Sequence, residues 1–434
     1  MTDCSTDRVG RFWAVVLLAI FLGGCGTTGT NPSSPAARSG RELILQALKP
    51  PDRHLFPLNY GTISTAVSSS AIDSWELMKH LDPQGTPGSR PFRLTLVDGT
   101  VVEGLLFEYV DGNADPKPLL MASFGFLQDR WGTEADKFYE LYLKDPAKRI
   151  PAHVLILDHP TAGPFLANNG HLSMGSYDDA RMWIEVAKHM RDCINLSGIH
   201  LFGVSMSGQT VVHALIEDKR LGLNLFDSGV AVSIAPDFQQ APGEQLALLD
   251  TVKGVENPWK AFFKSAPEKT LSDEIQCAVL EALIEDQFVA HYRLTSTANA
   301  GFDLEPNQIA VFLRNAFEDR IAFLRKNTPA TWDTDDVDLA DLDAFMASTR
   351  IARVIARVHT PLVLVSSLDD PAVEHPMFAE VVQAAGDNPW VAAYETDHGG
   401  HFAFDVVYGK DYLGKVIRLL MTPRVLGAWN GPLQ

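Results

Sequence analysis

The chain has 434 residues, 46% of them hydrophobic, and a net charge of −18 at pH 7. That content supplies a large core, and the acidic balance excludes a nucleic-acid partner, which would need a basic face. Of the four cysteines, Cys4 and Cys25 lie near the N-terminus, and Cys193 and Cys277 remain without the Cys/His spacing of a metal site, so neither metal nor cofactor is expected. An oxidising compartment would permit a bridge between the last two, and two buried free thiols fit the pattern as well.

Residues 1–24 read as an export signal. Arg8 and Arg11 precede an apolar run from Phe12 to Leu22, 11 residues against the ~20 that a spanning helix needs. Leu22-Gly23-Gly24-Cys25 resembles a bacterial lipobox, in which the cysteine is lipidated and becomes the new N-terminus. Each buried methylene adds ~0.8 kcal/mol, so several acyl chains on Cys25 imply firm membrane attachment. Gly26, in place of aspartate, implies by the same resemblance an outer-membrane location facing the periplasm. Residues 25–40, rich in Gly, Thr, Ser and Pro, form a flexible tether.

Residues 41–91 are irregular, with Pro50-Pro51, Pro83 and Pro87, and read as an N-terminal extension packing on the main domain. From Phe92, two β-rich runs flank Asp98-Gly99, a hairpin signal. A short apolar strand runs from Pro118 to Ser123 and ends in Phe124-Gly125-Phe126, with a helical pattern after it. Ala152–Leu157 is a strand, Asp178–Asp192 a helix, Ile199–Val204 a strand, Gly208–Asp218 a helix and Ser228–Ile234 a strand. After Pro236 the alternation stops, and residues 239–350 read as an acidic helical cap. It resumes at Pro361–Val365, followed by a helix near Met377–Ala385, a strand at Trp390–Tyr394 and a final helix near Tyr412–Met421. Such alternation predicts an α/β fold: a mostly parallel sheet flanked by helices, over residues 92–238 and 351–434, with the cap inserted before the penultimate strand. The acidic run from Asp333 to Asp343 lacks the glycine-centred spacing of a calcium loop and reads as a solvated turn.

Chemistry is concentrated at Gly203-Val204-Ser205-Met206-Ser207-Gly208. A serine between a strand and a helix, with small residues two positions to each side, reads as a nucleophile elbow. The usual pattern is G-x-S-x-G, and Ser207 stands at its fifth position, which needs a small side chain more than it needs glycine. A serine nucleophile requires a base and an orienting acid. The strand Leu362–Val365 leads into Ser366-Ser367-Leu368-Asp369-Asp370-Pro371, and an aspartate at the C-terminal end of a parallel strand faces the ligand crevice. Asp370 is the expected acid, with Asp369 its neighbour as the alternative. Thr396-Asp397-His398-Gly399-Gly400-His401-Phe402 supplies the base, His401, with His398 as the alternative. Asp237 could hold the acid after the preceding strand, and His159 reads as a rim residue. Asn168, Asn169 and His171 read as structural, and the cap aromatics Phe262, Phe263, Phe288, Phe312 and Phe317 as core.

The GVSMSG turn, the SLDDP turn and the HGGHF tail, in that order after successive strands, resemble the α/β-hydrolase family of serine esterases. The resemblance implies backbone oxyanion donors at Met206, the residue after the serine, and at Phe126, in the loop that often begins His-Gly and here begins Phe-Gly. It implies cleavage of a small-molecule or lipid carboxylic ester through an acyl-enzyme. An acyltransferase or peptidase would use the same three residues, whereas a non-catalytic envelope lipoprotein on this scaffold would need none of them.

Overall fold

The computed structural model describes residues 38–51, 89–125, 128–173, 177–235, 317–326, 337–368, 370, 373, 375–402, 404–409 and 411–430. The signal, Cys25, Phe126, Asp237, Cys277, Asp369 and most of the cap lie outside the described residues. Among those described, no helix is long and apolar enough to cross a membrane.

Eight strands form one sheet: β1 (Ser89–Thr95), β2 (Val101–Phe107), β3 (Lys117–Ser123), β4 (His153–Leu157), β5 (Leu196–Val204), β6 (Ser228–Val232), β7 (Leu362–Ser367) and β8 (Val391–Thr396). Their order is β1-β2-β4-β3-β5-β6-β7-β8. Only the β1–β2 and β2–β4 pairings are antiparallel, and the hairpin turns at Gly99, whose φ of 89° suits glycine. This is the α/β-hydrolase fold.

Helices cover both faces: α1 (Gly40–Ala47), α2 (Thr133–Tyr142), α3 (Gly163–Asn169), α4 (Tyr177–Cys193), α5 (Met206–Arg220), α6 (Leu342–Thr349), α7 (His375–Ala385), α8 (Phe404–Tyr408), α9 (Tyr412–Leu420) and α10 (Pro423–Gly427). Strand side chains alternate between two cores, as the period of two dictates. Leu119, Met121, Leu201 and Leu364 face α4, α5 and α7. Leu120, Ala122, Phe202, Val204 and Val365 face α1, α2 and α9. Because both faces are covered, these strands read as near-continuous apolar runs.

The sequence reading differs from the structure at its margins. The stretch after residue 40 opens with a helix, started by a capping box in which Ser39 and Glu42 exchange hydrogen bonds (Glu42 N–H to Ser39 Oγ 3.2 Å, Ser39 N–H to Glu42 Oε2 2.8 Å). Its buried Ile44 and Leu48, one turn apart, fix it against the C-terminal helices. β1 begins three residues before Phe92, and α10 follows the helix expected to be the last. Cys193 is a free, exposed thiol rather than a buried one, because it ends α4 on the solvent side. Of the cap, residues 317–326 are helical, and Phe317, Ile321 and Leu324 pack with Leu172, Tyr177 and Phe345. Arg320 Nε donates to Asp178 Oδ2 at 2.9 Å in a nearly dry ion pair.

Candidate active site

Ser205 separates β5 from α5 at φ 57° and ψ −122°. A non-glycine residue in that region costs about 1–3 kcal/mol and persists only where its surroundings over-determine it. Here they do. Ser205 N–H donates to Val232 C=O at 2.9 Å, and Ser205 C=O accepts from Gly208 N–H at 3.0 Å. Gly203 is obligatory, since a Cβ there would stand 2.3 Å from the Ser207 carbonyl oxygen. Met206 occupies the first position of α5, where helix geometry leaves its N–H with no intrahelical acceptor.

Ser207 does more than stay small. Its buried hydroxyl donates to the Phe124 carbonyl oxygen and lies 3.0 Å from Ser123 Oγ. The same peptide unit is held at its other end, where Gly125 N–H donates to Glu134 Oε2 at 3.1 Å. The Phe124–Gly125 peptide plane is therefore pinned from the elbow on one side and from α2 on the other. It passes close to Ser205: a Cβ on Gly125 would lie 3.0 Å from Ser205 Cβ and 3.4 Å from Ser205 Oγ.

Beyond Gly125 the chain is fastened to the end of β4. His159 N–H donates to Gln128 C=O at 2.9 Å, and Arg130 reaches Asp158 through both its N–H (2.8 Å) and its guanidinium (2.6 Å). Arg130 also holds Glu103 at 3.1 Å. His159 is fully buried, which corrects the rim reading; its backbone is claimed by this loop. Its Nδ1 accepts from the Thr161 N–H at 3.2 Å, and burial pushes its pKa down to about 3, so the ring is neutral. Asn169, read as structural, holds both the N–H and C=O of Val101.

The structure brings Asp370 and His401 together. His401 Nδ1 is 3.1 Å from both Asp370 carboxylate oxygens, and both residues are buried. Asp370 follows β7 and also accepts from Val373 N–H at 3.1 Å. His401 follows β8 on a loop shaped by its glycines. Gly399 has φ 154° and its missing Cβ would collide with the Phe404 ring at 2.6 Å; Gly400 has φ 53°. Ser367 Oγ donates to Gly400 C=O at 3.1 Å, tying that loop back to β7. Burial lowers the His401 pKa, but the charge and hydrogen bonding of Asp370 more than offset it, so the net shift is upward. His398, on the same loop, donates its backbone N–H to the Tyr408 hydroxyl at 3.0 Å.

Two residues near the site carry no motif. Glu134 and Lys137, one turn apart on α2, are half-buried, and the charges of both act on His401. Lys137 Nζ lies 5.2 Å from the centre of the Phe402 ring, and burial lowers its pKa to about 8. Only a three-dimensional contact, Glu134 to the Gly125 N–H, reveals them. Among the described residues, no group of three or more His, Cys, Asp or Glu could hold a metal ion. A small cavity lined by residues that include Tyr177, His213, Ile216, Glu217, Arg220 and Val354 contains none of the site residues.

No protein-family model and no curated protein matches the chain. Among solved structures, it is similar to an esterase of Pyrococcus furiosus (TM-score 0.43, 13% identity, covering 77% of this chain and 93% of that one). It is also similar to 2,6-dihydroxy-pseudo-oxynicotine hydrolase (TM-score 0.45, 11% identity, 80% and 71%) and to a membrane phospholipase A described as a bacterial virulence factor (TM-score 0.44, 13% identity, 83% and 94%). The fold itself rests on the strand order and on the strand–serine–helix turn within it.

Proposed function

We infer that the chain is a serine hydrolase of carboxylic esters, with Ser205 as nucleophile, His401 as base and Asp370 as orienting acid. The observation that carries this reading is His401 Nδ1 set 3.1 Å from both Asp370 oxygens, in a sheet whose β5 ends in a serine at φ 57°. Ser205 Oγ attacks the ester carbonyl while His401 Nε2 takes its proton. Asp370 fixes the tautomer and stabilises the imidazolium. The N–H groups of Met206 and Phe126 bind the oxyanion; losing one such donor typically costs ~10²–10³ in turnover. His401 then returns the proton to the leaving alcohol, and water, activated by the same imidazole, releases the acid. A lipidated Cys25 would hold this chemistry at an outer membrane, where lipid esters are at hand; Cys25→Ser should release the protein from the membrane fraction.

The test is labelling by a fluorophosphonate probe, together with hydrolysis of p-nitrophenyl esters of graded chain length. Wild type should be labelled and active, and Ser205→Ala should be neither. An unlabelled, inactive wild type overturns the reading.

A further inference from the structure

We propose that Glu134 is a specificity-determining residue of this site, selecting esters that carry a fixed cationic group close to the scissile carbonyl; the proposal rests on the serine-hydrolase reading above. Glu134 is not part of the triad, yet its Oε2 accepts the Gly125 N–H at 3.1 Å. A Cβ on Gly125 would touch Ser205 Oγ at 3.4 Å and Glu134 Oε2 at 3.7 Å, so carboxylate and nucleophile flank the same atom position. Among the described residues, the hydrogen bond to this carboxylate falls on Oε2 and none falls on Oε1.

Its charge is only partly compensated: it acts on the Lys137 ammonium, one turn further along α2, and on His401, with no direct ion pair to either among the described residues. The Lys137 ammonium itself lies over the Phe402 ring. A carboxylate beside the loop that receives the oxyanion is unfavourable for a neutral ester, because negative charge grows next to negative charge in the transition state. The same carboxylate stabilises the His401 imidazolium, so its net effect depends on what the substrate brings. An ester with a quaternary ammonium within reach of Oε1 turns the repulsion into attraction. Discrimination of this kind combines attraction for one class with repulsion of the other.

The experiment compares isosteric ester pairs that differ only in charge. Butyrylcholine against 3,3-dimethylbutyl butyrate places the cation in the alcohol. The p-nitrophenyl esters of 4-(trimethylammonio)butanoate and 5,5-dimethylhexanoate place it in the acyl group. In wild type, kcat/KM should favour the cation in at least one pair. In Glu134→Gln, whose amide oxygen can still accept the Gly125 N–H, that ratio should fall by about tenfold, the order of one partly screened charge pair. Raising salt from about 0.02 to about 0.5 M should shrink the wild-type ratio as well, which tests the charge without any variant. Intact fluorophosphonate labelling with a ratio unchanged by the variant, or by salt, overturns the role of Glu134 and leaves the hydrolase reading standing. Absence of both labelling and turnover in wild type overturns the two together.

Discussion

Replacing Ser207 by alanine isolates the contribution of one hydroxyl to the site. In the folded protein that hydroxyl is buried, donates to the Phe124 carbonyl and lies 3.0 Å from Ser123 Oγ. Removing a buried donor costs about 1–3 kcal/mol, because the acceptor it leaves behind does not regain water. About 2 kcal/mol is expected for Ser207→Ala, since the methyl group that remains occupies the same position without overpacking. The kinetic effect follows from the peptide plane. With the carbonyl end released, the Phe124–Gly125 unit is held only by Glu134 and can tilt against Ser205. Misplacements of about 1 Å near reacting atoms cost on the order of 10²-fold, and a partly restrained tilt should cost about tenfold in kcat with KM nearly unchanged. Ser207→Gly restores the usual pattern of the turn and should behave like alanine, with up to about 1 kcal/mol of further instability from glycine in a first helical turn. Urea unfolding and p-nitrophenyl butyrate kinetics measure the two effects separately. A variant that loses stability but keeps wild-type kcat refutes the positioning argument, and one that loses neither refutes the hydrogen bond.

Gly125→Ala should lower kcat by about 10²-fold or more while the protein stays folded, because its methyl would press on Ser205 Cβ at 3.0 Å; unchanged fluorophosphonate labelling rates would contradict this. The acid limb of the kcat/KM profile should lie above the ordinary histidine value of ~6.5, since Asp370 raises His401 and the base works only when neutral. Asp370→Asn should move that limb down and reduce kcat by about 10⁴-fold; an unmoved limb would mean that another group sets it. Arg320→Met leaves Asp178 buried without its cation and should cost about 3–5 kcal/mol, read as a lowered thermal midpoint.

The parts of the fold that sequence alone makes legible share a physical cause. Strands buried on both faces must be apolar, helices packed on one face must repeat near 3.6, and the turn at Ser205 needs Gly203 for steric reasons, so each leaves a pattern in the chain. Asp370 and His401 stand out because the proposed chemistry would need an acid and a base in that order at strand ends. What stays hidden depends on contacts between residues far apart in sequence. Ser207 reads as merely small until its hydroxyl is seen on the Phe124 carbonyl, 83 positions away. His159 reads as a rim residue because it follows a strand, yet it is buried, with its backbone N–H on Gln128 and its Nδ1 facing Thr161. Glu134 looks like any acidic residue in a first helical turn, where the helix dipole welcomes it, and only the Gly125 contact separates it from the rest.

The helix that opens the folded body also settles where mechanical load enters it. A pull on the chain ahead of Ser39 would be resisted first by Gly40 N–H on Ala428 C=O at 2.7 Å, by Arg41 N–H on Trp429 C=O at 3.2 Å and by Arg41 Nε on Val391 C=O at 3.0 Å. Val391 begins β8, one of the two edge strands, and His401 follows that strand's other end. A load entering at that helix arrives at the opposite end of the sheet from Ser205, Asp370 and His401, through hydrogen bonds in which none of those three takes part. Along that route the load meets the start of β8 before it meets the loop that carries His401.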